Sequence, residues 1–104
     1  MADKVVRDGK VAILVSRGFG AGWSTWNGSH PECLTNPEIV AMVEAEALPE
    51  EIAAKADELW PDGYWGGADG LRIEWVAEGA QYRIEEYDGS ESIDFNDASY
   101  WSIA

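Results

Sequence analysis

The spacing of hydrophobic and polar positions changes along the chain, and each change predicts a new element. Val11-Ala12-Ile13-Leu14-Val15 is the most apolar run and has no polar alternation, which predicts a central strand buried on both faces. Asp8-Gly9, flanked by apolar residues, predicts a type I′ turn, so residues Val5 to Ala12 read as a hairpin whose second strand runs to about Ser16. Further on the period becomes helical. Ile39, Val40 and Val43 form one stripe, and Ile52, Ala53, Ala56, Leu59 and Trp60 form another. Asn36-Pro37-Glu38 and Leu48-Pro49-Glu50-Glu51 are the two helix starts, and Pro61-Asp62-Gly63 is a stop.

In the last third the period is two. Leu71–Val76 and Gln81–Glu85 alternate about the turn Ala77-Glu78-Gly79-Ala80. Pairing them puts Trp75 opposite Tyr82 and Ile73 opposite Ile84, with Glu74 opposite Arg83 and Arg72 opposite Glu85 on the other face. Asp88-Gly89 predicts the next tight turn, with Ile84 opposite Ile93, Tyr82 opposite Phe95 and Arg83 opposite Asp94. Residues Tyr100 to Ile103 add a short terminal strand. The expected fold is α+β in a single domain over residues 1–104: an N-terminal β-hairpin, two helices, then a three-stranded antiparallel meander, with the helices packed on one sheet face.

Composition narrows the function. The chain has 104 residues and six Trp, which favours a compact aromatic core over disorder. Its 20 acidic and 7 basic residues give a formal charge of −13, which repels nucleic acid and anionic membranes and suits a basic partner. No apolar run approaches the ~20 residues that span a bilayer, and Met1-Ala2-Asp3-Lys4 does not open a signal peptide. The single cysteine, Cys33, excludes an intrachain disulfide and fits a reducing cytoplasm.

The stretch with most chemical character is Arg17-Gly-Phe-Gly-Ala-Gly-Trp-Ser-Thr-Trp-Asn27. Its glycines give the backbone freedom, and its tryptophans offer flat faces with one N–H donor each. No helix former follows it, so it is not a dinucleotide or phosphate loop. Tyr64-Trp65-Gly66-Gly67 is a second glycine–aromatic loop. Turn chemistry at Ser24-Thr25 and Asn27-Gly28 predicts Trp23 largely buried and Trp26 partly exposed, at the rim of a cleft shared with Tyr64 and Trp65. Arg17, Phe19, Trp23, Trp26, Tyr64 and Trp65 are therefore the candidate ligand- or partner-binding residues.

Other groups carry less. His30, Glu32 and Cys33 match no closed zinc pattern, and Cys33 is expected as a buried thiol, so neither a metal nor a cofactor is assigned. His30 and Cys33 do not define a nucleophile–base pair, and no catalytic residue is assigned. Glu86 and Glu91 face each other beside the Asp88-Gly89 turn, where the core is expected to have ended and both to be solvated.

The runs Lys10–Asn27, Tyr64–Ala68, Leu71–Val76 and Tyr82–Ser92 together resemble a family of small, acidic, uncharacterised proteins encoded by tailed bacteriophages and their prophages. The resemblance covers most of the chain, the helical middle least. It implies a host-cytoplasmic setting and an accessory protein that acts by binding, and it assigns no catalytic residue. The first functional expectation is non-enzymatic binding to a host protein with a basic surface, as a monomer or a homodimer. The second is a small-molecule binder that stacks a planar ligand on the glycine–tryptophan loops, and an enzyme ranks third.

Overall fold

The computed structural model describes residues 4–17, 22–87, 89–94 and 102–103. The protein is a mixed α+β fold with an N-terminal hairpin, two helices, a three-stranded antiparallel sheet and a second small sheet. Strand β1 (Val6–Arg7) turns at Asp8-Gly9 into β2 (Lys10–Ser16). Asp8 and Gly9 both have positive φ, at 53° and 76°, as a type I′ turn requires. Helix α1 (Pro37–Glu44) starts at Asn36, whose Oδ1 accepts from the backbone N–H groups of Glu38 and Ile39. Helix α2 (Pro49–Leu59) starts after Leu48, whose N–H donates to the Glu51 carboxylate at 3.0 Å. Strands β3 (Leu71–Ala77), β4 (Gln81–Tyr87), β5 (Ser90–Asp94) and β6 (Ser102–Ile103) follow.

Strand β2 is the centre of the molecule. It lies between β1 and β3, and every residue from Val11 to Ser16 is buried. Its alternate side chains serve two cores. Ala12 and Leu14 pack with Trp23, Cys33, the α1 residues Ile39 and Val40, the α2 residues Ile52 and Ala56, and Trp60 and Trp65. Val11, Ile13 and Val15 pack with Val76 and Tyr82, joined by Ile84 and Ile93 of the second sheet. The helices thus cover one face of the first sheet, and β4 and β5 cover the other.

The pairing of the C-terminal strands corrects the expected meander register at one place. Strands β4 and β5 pair as expected, with Ile84 opposite Ile93, Arg83 opposite Asp94 and Glu86 opposite Glu91. Strand β3 instead pairs along its whole length with β2: Trp75 lies opposite Ala12, Ile73 opposite Leu14 and Glu74 opposite Ile13. Trp75 and Tyr82 therefore sit in different sheets. The physical reason lies in β2. A strand buried on both faces must satisfy its backbone groups on both edges, and β1 pairs with only two of its seven residues. Strand β3 supplies the other edge. The turn closed by Ala80 N–H donating to the Ala77 carbonyl then carries the chain from one sheet to the other. Exposed Trp75 lies under the Arg7 guanidinium, 5.5 Å from its ring centroid, and Arg7 also pairs with Glu44. Ser102 and Ile103 pair with Tyr82 and Gln81. Tyr100 and Trp101, like the expected partner Phe95 and the turn residue Asp88, lie outside the described residues.

Candidate functional site

The two glycine–aromatic loops pack directly against each other. A Cβ on Gly67 would meet the carbonyl oxygen of Gly22, and a Cβ on Gly22 would lie 2.8 Å from Trp26 Cδ1. Only glycine permits so close a backbone approach. Asn27, buried between the loops, joins them: its Nδ2 donates to the Trp23 carbonyl at 2.7 Å and the Tyr64 carbonyl at 2.8 Å, and its Oδ1 accepts from Tyr64 N–H at 2.7 Å.

These contacts sort the tryptophans. Trp23 is fully buried, tilted on Trp65 at 4.8 Å, and its Nε1 donates to the Cys33 carbonyl at 2.8 Å. Trp65 is also buried; it contacts Trp60 at 5.2 Å and donates from Nε1 to the Trp60 carbonyl. Each buried indole has found the partner its N–H needs. Trp26 is 43% exposed and Tyr64 55% exposed. Their rings stack on each other, with centroids 5.7 Å apart and planes 28° apart. Trp65 therefore lies in the core beneath, away from the rim at which Trp26 and Tyr64 meet. Trp26 Nε1 points at Glu86 Oε2 at 3.4 Å, and the same oxygen accepts from Gly89 N–H at 2.7 Å. Beyond Glu86 lies a surface recess of about 240 Å³, lined by Glu85, Glu86, Tyr87, Ser90 and Ser92.

Arg17 is exposed, with its guanidinium 4.0 Å from Glu74, and its backbone N–H donates to the Gly70 carbonyl. Phe19 lies outside the described residues. Of the six candidates, the structure joins Trp26 with Tyr64 at the surface and Trp23 with Trp65 in the core, with Arg17 outside both pairs.

The residue that holds this loop is Glu91, which was expected to be solvated and is instead completely buried. Oε1 accepts from Ser16 N–H at 2.8 Å, and Oε2 accepts from Trp23 N–H at 2.7 Å, Thr25 N–H at 3.1 Å and the Thr25 hydroxyl at 2.6 Å. Burial of a carboxylate is tolerated when its oxygens are this well supplied with donors. The available signal was parity: Glu91 alternates with Ile93 and so faces inward, toward backbone N–H groups rather than water.

Two further titratable groups, Cys33 and Asp62, are set by their surroundings. The Cys33 thiol is buried, and desolvation, aided by Glu91 and Glu32, pushes it up to about 12, so it is protonated and unreactive near neutrality. His30 contacts Asp62 at 2.7 Å, and that hydrogen bond holds the Asp62 carboxyl below its usual range. Among the described residues no three His, Cys, Asp or Glu side chains form a metal-holding group, and no helix is long and apolar enough to cross a membrane. No protein family, curated protein or solved structure matches the chain.

Proposed function

We propose that the protein is a non-enzymatic binding protein that engages the cationic side chains of a basic protein partner through the Trp26–Tyr64 face. The observation that supports this most is the exposed stacked pair itself, with Trp26 Nε1 directed at Glu86. Aromatic faces attract arginine and lysine, and the adjoining recess adds Glu85, Glu86 and the hydroxyl of exposed Tyr87. A charge of −13 steers such a partner toward the protein over long range. In this proposal the protein is an accessory protein of a tailed bacteriophage, and its partner is a host protein met in the host cytoplasm.

The test uses an arginine–glycine repeat peptide and a matched alanine–glutamate peptide, followed by tryptophan fluorescence. The arginine peptide binds, and its affinity falls as salt rises. Trp26→Ala abolishes the response while unfolding stability drops by only about 0.5–1.5 kcal/mol, the scale of one aromatic pair. Equal binding of both peptides, or undiminished binding by Trp26→Ala, would falsify the proposal.

A further inference from the structure

We propose that Glu91 is the positioning residue of the Trp26–Tyr64 face, a carboxylate carried in on β5 that sets the shape of a loop distant from it in sequence. The inference rests on the reading of that face as the binding surface. Its grounds are geometric. Among the described residues, the four donors that meet Glu91 come from the end of β2, from Trp23 and from both the backbone and the side chain of Thr25. Thr25 is the residue immediately before Trp26. Two of the four bonds therefore fix the residue that launches the Trp26 ring, and a third fixes Trp23 before it.

Trp26 of the 3₁₀ turn Ser24–Trp26 reaches Tyr64 and Glu86 only through its side chain, so among the described residues the backbone of the turn is held by a short set of bonds. Its own bonds are Trp26 N–H to the Trp23 carbonyl at 3.3 Å and Asn27 N–H to the Ser24 carbonyl at 3.1 Å. Both are internal to the turn, so they define its curl but not its orientation on the molecule. Glu91 and Asn27 supply the orientation, Asn27 toward the Tyr64 loop and Glu91 toward β2 and β5. The packing leaves no slack: a Cβ on Gly22 would lie 3.0 Å from Glu91 Oε2 and 2.8 Å from Trp26 Cδ1. Moving the carboxylate away therefore frees the turn to rotate, and Trp26 leaves its stack on Tyr64 and its place beside Glu86.

The test supplies the lost carboxylate in free form. Glu91→Ala keeps Cβ and removes the carboxylate, and acetate offers the same acceptor oxygens to the orphaned donors. The position of Trp26 is read from the near-UV circular dichroism that Trp26→Phe abolishes, independently of any partner, and affinity is read with the arginine–glycine peptide. Glu91→Ala is expected to lose that signal and to bind the peptide about tenfold more weakly or worse, the equivalent of one charge-assisted hydrogen bond. Acetate is expected to restore both in a saturable manner, and chloride at equal ionic strength to restore neither. Thr25→Val, which deletes one bond and keeps the shape, is expected to give a partial loss of signal and affinity with little change in stability.

The proposal is overturned if Glu91→Ala keeps the Trp26–Tyr64 signal, if acetate raises stability without returning it, or if Thr25→Val leaves signal and affinity unchanged. Should Glu91→Ala fold only in acetate, return of the native signal on refolding in acetate supports the proposal, and its absence refutes it. If the wild-type protein does not bind the peptide, the reading of the face fails, while the positioning role is still decided by the signal.

Discussion

Two acidic residues opposite each other on one hairpin, Glu86 and Glu91, have opposite fates. Glu86 stays at the surface beside Trp26, and Glu91 is taken into the interior by four donors. The sequence contained the register and the inward parity of both. It could not show that three backbone N–H groups, 66 to 75 positions away in the chain, would converge on one of them. Backbone donors leave no mark on side-chain patterning. The tryptophans were legible for the opposite reason: turn chemistry at Ser24-Thr25 and Asn27 is local, and it sorted Trp23 inward and Trp26 outward. Cys33 is the residue with a direct pH consequence. Its folded value, about 12, is raised above the unfolded value of ~8.5, so its contribution is complete below that lower value and is lost as pH rises toward the upper one. In denaturant unfolding between pH 8 and 11, wild type is expected to lose stability more steeply than Cys33→Ala. The native thiol is also expected to react with an aromatic disulfide reagent only after unfolding.

At the scale of elements, the helices and the first hairpin could be read directly, because their caps and turn residues act within a few positions: Asn36, Pro37, Asp8 and Gly9. The β4–β5 register was legible because apolar and charged pairs agree in only one alignment. The same logic failed for β3, whose alternation suits either neighbour. The deciding factor was the unmet backbone of β2, a property of another element. Ile13 lies at the middle of β2, fully enclosed against Val76 and the second sheet. Ile13→Ala is expected to cost ~2–5 kcal/mol in urea unfolding, and a loss below ~1 kcal/mol would contradict a central strand. The loop junction offers a second check. A Cβ at Gly67 meets a backbone carbonyl rather than a flexible side chain, so it cannot be accommodated by a rotamer change. Gly67→Ala is expected to separate the two loops, lowering the melting temperature and shifting the tryptophan emission of buried Trp23 and Trp65 toward the red.

For the molecule as a whole, charge and packing act against each other. The ion pairs Arg7–Glu44, Lys55–Glu38 and Arg83–Glu85 lie at or near the surface, where such pairs contribute little. With 20 acids against 7 bases, mutual repulsion of carboxylates outweighs these attractions. Added sodium chloride is therefore expected to raise the melting temperature while it weakens capture of a cationic partner; a melting temperature that falls with salt would show that the attractive pairs dominate. The Glu91 contacts carry a further consequence, for the order in which the chain leaves the ribosome. They join positions 66 to 75 residues apart. Synthesis at ~5–20 residues per second delivers the loop several seconds before the carboxylate that orders it. Until then Ser16, Trp23 and Thr25 have no acceptor from β5, and β2 lacks the Tyr82, Ile84 and Ile93 side of its core. A nascent chain that has not yet extended through β5 holds its most apolar strand half covered, so the native loop geometry forms only after β5 has been synthesised.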